Sequence, residues 1–235
     1  VNALFVKLHR NRKSLCLDLK KTKARKIFLE LVALADVVVE NFSARAMPSM
    51  GLDYAALRRA NEKIIYVSMP GYGMSGPYRD RVAFGPTVEP LSGLTQMLGY
   101  GPDEPRNSAM ALMDPIAATQ AAAAVTDALM QRAETGKGCL VEMSLHEGGV
   151  TYSAPWLVDE QLGQKPQCMG NRHPAMAPHG IYPSKGEDCW VAITCKNDEQ
   201  WRALCNLIGH AEKSNLALSE RIEQHDEIDN MICAW

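Results

Sequence analysis

No cysteine pair in a C-x-x-C arrangement occurs in the 235 residues, no apolar run approaches the length of a bilayer span, and neither sign of charge dominates. Each absence removes a class of function. A spanning helix needs about 20 predominantly apolar residues; without one, and without a charged-then-apolar leader, the expectation is a cytoplasmic protein with no membrane partner. With 25 Lys and Arg against 27 Asp and Glu, and a net charge of −2, the chain has no electrostatic footprint for nucleic acid. The seven cysteines (Cys16, Cys139, Cys168, Cys189, Cys195, Cys205, Cys233) are odd in number and scattered, which suggests neither a disulfide framework nor a zinc site. No metal is expected. Internal repeats are missing too, and the one biased stretch is an alanine-rich helix pattern. What remains is a globule whose partners are small molecules.

What is present is an alternation of strand-like and helix-like segments. "SLCLDL" (14–19) alternates apolar and polar residues and predicts a short extended segment. In "KTKARKIFLELVALA", Ile27, Phe28, Leu31, Val32 and Leu34 recur at helical spacing. "DVVVENF" and "KIIYVSM" are apolar runs of strand length, separated by the short helix pattern "DYAALRRAN". Such alternation predicts an α/β fold with a parallel sheet flanked by helices. "DPIAATQAAAAVTDALMQRAE" (114–134) is the strongest helix pattern, with Asp114 in the N-cap position, Pro115 at the first helical residue and "TGKG" ending it. "CLVEMSL" alternates as a strand, and "HEGGVTYSAPWLVDEQL" is expected to be helical despite Gly148, Gly149 and Pro155. A Pro- and Gly-rich stretch then marks a boundary: a large domain over 1–165, a linker over 166–183 and the beginning of a smaller α+β domain over 184–235. There "CWVAITC" predicts a strand and "NDEQWRALCNLIG" a helix opened by Asn197.

Gly71, Gly73 and Gly76 spell G-x-G-x-x-G directly after "KIIYVSM". A dinucleotide fingerprint requires those glycines to open a helix, with an acidic residue about 20 positions on at the end of the next strand. Here they lead into "PYRDRVAFGP", whose Gly85 and Pro86 leave no room for a long helix, and Glu89 lies in "TVEPLSG", which is no strand pattern. The nicotinamide reading fails on context. A glycine-rich turn at the carboxyl end of a parallel strand is still where α/β sheets place ligands, so the loop is a candidate site.

Five ordered stretches carry a resemblance: "NRKSLCLDLK" (11–20), "ADVVVENF" (35–42), "MGLDYAALRRANEKIIYVSMPGYGMSGPY" (50–78), "MDPIAATQAAAAVTDALMQRAETGKG" (113–138) and "GNRHPAMAPHGIYP" (170–183). Together they resemble the family III coenzyme A transferases, which include formyl-CoA transferase, carnitine-CoA transferase and the bile-acid-inducible CoA transferase, with α-methylacyl-CoA racemase as a relative. The resemblance implies a Rossmann-like large domain joined to a small one, in an interlocked homodimer. It also implies longer chains, with an N-terminal segment supplying the first strand and part of the CoA site, and a C-terminal return to the large domain. With Val1 in place of an initiator Met, this chain is expected to be a fragment lacking both ends. The implied activity is transfer of CoA between carboxylic acids, with acyl-CoA and an acceptor acid as substrates and no tightly bound cofactor.

Residue by residue, the resemblance implies that Asp114 is the nucleophile. A carboxylate attacks the activated thioester, giving a mixed anhydride and then an aspartyl-CoA thioester, and a helix N-terminus is a setting that suits an anion. The alternative is that Asp114 is simply a cap. Gly71 and Gly73 would lie beside the thioester, their N–H groups available to a developing oxyanion. Asn41 and Phe42 of "ENF" would contact CoA, and Arg12 and Lys13 of "NRKS" would face its phosphates; a solvated basic cluster with His9 and Arg10 is the plainer reading of that pair. Ser49 stands where the family commonly has an arginine, and Arg45 is expected to reach in from the previous turn. Arg81, with Arg79, is a candidate for the basic position past the glycine loop. His173 and His179 fall in a segment that is either a lid or an ordinary linker. The racemase relatives place a catalytic His just past the loop. Phe84 occupies that position here, which favours transfer over α-carbon proton transfer. A racemase-like enzyme and a non-catalytic CoA-binding dimer partner remain the alternatives.

Overall fold

Three short apolar runs build the sheet that the sequence pattern predicts. The structure, a computed structural model, describes residues 2–101, 103–165 and 168–235; residues 166 and 167, the first two of the expected linker, lie outside them. Strands β1 (Val37–Glu40), β2 (Ile65–Ser68) and β3 (Leu140–Glu142) lie in the order β1-β2-β3, with parallel ladders pairing Val37 with Ile65 and Tyr66 with Leu140. All four residues of β2 are buried, which is why its pattern is continuous and not alternating. Helices α1 (Ala3–Leu8) and α2 (Thr22–Val32) precede β1, and α3 (Ala46–Ser49) and α4 (Tyr54–Ala60) connect it to β2. Between β2 and β3 come α5 (Gly85–Leu91), α6 (Leu94–Met97) and α7 (Met113–Thr135), and α8 (Leu145–Gln161) follows β3. Residues 14–19 carry no helix or strand, although Leu17 and Leu19 are half-buried while Cys16 and Asp18 face solvent. Gly85 and Pro86 open only a short helix, α5, where the Thr87 hydroxyl accepts the Phe84 N–H at 3.0 Å.

Two compact units divide the chain, residues 1–92 with 109–154 and residues 93–108 with 155–235. In the first, Val32, Met47, Leu52, Leu57, Ile64 and Tyr66 form one apolar cluster; full burial of a side chain such as Leu57 contributes about 2 kcal/mol. The Asn61 amide donates to the carbonyls of Val32 and Ala35 at 3.1 and 2.9 Å, satisfying the end of α2. Helix α7 packs on β2 and buries Ile116, Ala117, Ala121 and Ala128; small side chains let it approach the strand closely. Arg132 near its end donates to the carbonyls of Asp36 and Lys63 and pairs with the Asp36 carboxylate at 2.8 Å, fixing α7 to the start of the sheet.

The second unit contains an antiparallel hairpin of β4 (His179–Pro183) and β5 (Trp190–Thr194), then α9 (Asp198–Ile208), a 3-10 turn (Ala211–Lys213), α10 (Leu218–Glu223) and α11 (His225–Ala234). Residues 179–183 of the stretch expected to be linker are thus a strand. As the sequence predicts, the Asn197 side chain caps α9 by accepting the Gln200 N–H at 2.9 Å. Trp201, Leu204, Cys205 and Ile208 share one face of α9 and pack with Ile228, Met231 and Ile232 of α11. No described helix is long and apolar enough to cross a membrane.

Candidate functional site

The parallel ladders bring the last residues of the three strands into line: Glu40 of β1 pairs with Ser68 of β2, and Ser68 with Glu142 of β3. Two carboxylates therefore stand at the carboxyl edge of the sheet, and each organises a loop. Glu40 accepts the Tyr66 hydroxyl at 3.0 Å, the Ser68 hydroxyl, and the Phe42 backbone N–H at 2.8 Å, so it shapes the turn that carries Asn41 and Phe42. Burial, and then the neighbouring Glu40, push the Tyr66 phenol up, which keeps it a hydrogen-bond donor. Glu142 accepts the Met74 N–H at 2.6 Å. It sits against Gly73, whose φ of +81° is one that few residues other than glycine adopt.

The glycine loop is held from below by the start of α8. The Gly71 carbonyl accepts the His146 N–H at 3.0 Å and the Ser144 hydroxyl at 3.2 Å. Gly73 directs its N–H toward the Pro70 carbonyl at 3.5 Å, while the Gly71 N–H has no acceptor among the described residues. A Cβ on Gly71 would lie 1.9 Å from the Ala83 Cβ, so the loop and the segment entering α5 touch where one of them has no side chain. Two residues on, a Cβ on Gly85 would lie 2.0 Å from Asp114 Oδ2. Gly71, Ala83, Gly85 and Asp114 are thereby linked by successive contacts.

Asp114 is not the N-cap that the sequence pattern predicts. The helix begins at Met113 with Leu112 as cap residue and no side-chain capping bond, so Asp114 is the second helical residue and Pro115 the third. The physical reason is local: Leu112 already has helical backbone angles, and Asp114 N–H bonds to the Ala111 carbonyl at 3.2 Å. The carboxylate is exposed, lies against Gly85 and accepts no hydrogen bond from the described residues. The reading of Asp114 as a mere cap loses its basis.

Arg45 is drawn toward the loop, but onto a carboxylate. Its guanidinium forks onto Asp80, with Nε to Oδ1 at 2.6 Å, and Arg79 stands 3.6 Å from the same group. Hydrogen bonding by Arg45 holds Asp80 below the usual carboxylate range, and Arg79 adds to it. The guanidinium of Arg81 lies 4.2 Å over the Tyr78 ring, Tyr78 meets Tyr72 edge-on at 6.0 Å, and Tyr72 lies 5.9 Å from the His146 ring. Arg12 and Lys13 are exposed after α1, and no hydrogen bond or ion pair joins them to the other candidates among the described residues. Ser49 turns its hydroxyl back to the Ala46 carbonyl at 2.8 Å. The His173 and His179 rings lie 5.4 Å apart and tilted by 39° in the second unit, where His179 Nδ1 meets the Asn171 carbonyl. Among the described residues no group of three or more His, Cys, Asp or Glu could hold a metal ion.

Glu40, Asp80, Gly85, Glu142 and His146 are missing from the sequence-derived candidates. Glu40 and Glu142 had a usable signal, since each is an acid within a run predicted to be a strand of the sheet. Asp80, between two arginines, had only its charge pattern. Gly85 had none, because its importance rests on a contact with a residue 29 positions away.

The description "CoA-transferase family III" belongs to the family model that matches residues 1–235. The acetyl-CoA:oxalate CoA-transferase of Acetobacter aceti is 34% identical over 96% of this chain and 58% of its own length. The succinyl-CoA–D-citramalate CoA-transferase of Chloroflexus aurantiacus is 31% identical over 97% of this chain and 58% of its own. Among solved structures, a CaiB/BaiF family protein from Brucella suis superposes with a TM-score of 0.86 at 29% identity, covering 97% of this chain and 62% of that one. The chain thus spans a little over half the length of these curated relatives.

Proposed function

The chain belongs to CoA-transferase family III, and we propose that it carries the nucleophile of a CoA transfer between carboxylic acids, with Asp114 in that role. The observation that supports this most is the bare, exposed Asp114 carboxylate, seated on Gly85 and linked through Ala83 to the glycine loop. A carboxylate used for structure would accept hydrogen bonds. Asp114 attacks the thioester carbonyl carbon; the new C–O bond forms as the C–S bond breaks, and CoA leaves as thiolate. The thiolate attacks the aspartyl carbonyl of the mixed anhydride, releasing the first acid as carboxylate and leaving an aspartyl-CoA thioester. An acceptor carboxylate repeats the two steps in reverse, so the CoA ends on the acceptor and Asp114 is free again. In each attack the Gly71 N–H, uncommitted in the fold, is the donor for the oxyanion.

Asn41 and Phe42, on the turn shaped by Glu40, and Arg45, Arg81, Arg12 and Lys13 are the proposed CoA contacts, and an interlocked homodimer the proposed assembly. The relatives named for oxalate and D-citramalate act on dicarboxylic acids, so dicarboxylates are the first acceptors to try.

The full-length natural chain, incubated with acetyl-, oxalyl-, succinyl- and glutaryl-CoA and then hydroxylamine, should carry a hydroxamate on Asp114 detectable by peptide mass spectrometry. Absence of an adduct with every ester, with solvent deuterium entering the α-carbon instead, would replace transfer by proton-transfer chemistry. CoA binding with neither reaction would leave a binding partner.

A further inference from the structure

Gly85 is buried at the first position of α5, and its backbone is not in the positive-φ region, so nothing in its own conformation demands glycine. The demand comes from outside. An added Cβ would meet Asp114 Oδ2 at 2.0 Å, Ala111 Cβ at 3.1 Å and Asp114 Cγ at 3.2 Å. Carbon and carbonyl-type oxygen approach to about 3.3 Å, so a methyl there drives the Asp114 carboxylate back by roughly 1 Å. The carboxylate is the flexible, exposed partner and is the group that moves. At the other end of the same short segment, Ala83 fills the space that a side chain on Gly71 would occupy. The segment from Ala83 to Gly85 is therefore a spacer between the glycine loop and the carboxylate, and a bare glycine at each of the two contacts, Gly71 and Gly85, sets the separation.

We infer that Gly85 is a positioning residue for the transfer: its bare backbone is the seat that holds the Asp114 carboxylate in register with the glycine loop. This rests on the reading of Asp114 as nucleophile. Gly85 touches no substrate in this account and acts only through Asp114. It also explains why a small residue follows Phe84, which neither the sequence motif nor the geometry of α5 requires.

The test uses the full-length chain, with succinyl-CoA and labelled succinate as the probe pair, since exchange of label into the thioester requires the whole transfer cycle in both directions. In Gly85→Ala, kcat for exchange should fall on the order of 100-fold, the cost of misplacing a reacting group by about 1 Å. KM for succinyl-CoA should stay within about twofold and the melting temperature should be unchanged, because alanine suits the first turn of a helix at least as well as glycine. Trapping of the Asp114 hydroxamate should fall in parallel. Should Gly85→Ala lower the melting temperature through the Ala111 contact, Gly85→Ala with Ala111→Gly removes that contact; restored stability with kcat still low supports the seat, and restored stability with restored kcat overturns it. Unchanged kcat in Gly85→Ala, with Asp114→Asn inactive, overturns the inference and leaves the nucleophile standing. An inactive wild type or a fully active Asp114→Asn removes both.

Discussion

Around the open cleft of ≈ 630 Å³ beside β4 in the second unit, charged and polar groups answer one another: Arg172 pairs with Asp226 and with Asp229 at 3.1 Å, and Asp229 accepts the Tyr182 hydroxyl at 2.8 Å. At the carboxyl edge of the first unit's sheet, Glu40 and Glu142 are similarly engaged, but the Asp114 carboxylate, the Gly71 N–H and the Arg81 guanidinium are left with no hydrogen-bonding or ionic partner among the described residues. Both regions are rich in ionisable groups. The difference lies in what is satisfied within the fold. Polar groups that stabilise a fold are consumed by it, whereas groups that act on a ligand must be left over. Removing a leftover group should therefore cost activity and spare stability, and removing a consumed one should do the opposite.

The sharpest way to break that contrast is Asp114→Asn. An amide cannot take the acyl group, so transfer should drop by at least about a thousandfold, while unfolding free energy should stay within about 0.5 kcal/mol of wild type, as for a surface change that removes no structural bond. Isotope exchange and chemical denaturation read the two quantities. A destabilised variant would mean the carboxylate has a structural partner after all.

The mirror experiment is Asp229→Ala. It strips the acceptor from the mostly buried Tyr182 hydroxyl and one of two partners from Arg172. Leaving a buried donor unsatisfied costs about 1–3 kcal/mol, with little more from the partly exposed ion pair. Denaturant midpoints should fall accordingly, with exchange activity per folded molecule held within about twofold. Loss of activity without loss of stability would undo the division of roles.

Much of this was legible before the fold was known, and the illegible part has one cause. Strands β1 and β2, helices α7, α8 and α9, and the Asn197 cap follow from apolar spacing and capping chemistry, which are local. Asp114 and the glycine loop carry a motif. By contrast, the seat at Gly85, the pairing of Arg45 with Asp80, and the use of Glu142 to tether Met74 join positions 29, 35 and 68 apart in sequence. No window along the chain contains both partners.

A smaller effect should separate the units by pH. His225 is buried and accepts the His179 N–H at 3.4 Å; burial lowers its pKa, Arg172 and His179 act in the same direction, and Asp229 and Asp226 oppose them. The unfolded chain binds a proton near pH 6.5 and the folded one only at lower pH. The stability is therefore complete above about pH 6.5 and is lost as pH falls toward the folded-state value. Melting of the second unit should shift downward between pH 7.5 and 5.5, and His225→Gln should flatten that slope without touching exchange at pH 7.5. An identical slope in the variant would assign the effect to other groups.

The smallest expected effect falls on Arg45, which the fold has already engaged near the loop. Arg45 and Asp80 are both largely exposed, and exposed ion pairs add little to stability and are screened by salt. Asp80→Asn should leave the denaturation curve in place. Its consequence for ligand is different, because a phosphate must compete with Asp80 for the same guanidinium fork. If Arg45 stands in for the arginine that Ser49 replaces, releasing it from Asp80 should tighten CoA by a few-fold at low salt, and the gain should vanish in the Arg45→Ala background. Calorimetric titration of CoA into the four combinations decides the matter: a gain that survives without Arg45 belongs to Arg79 or to net charge, and no gain at all makes the pair a consumed one, of the second unit's kind, standing in the first.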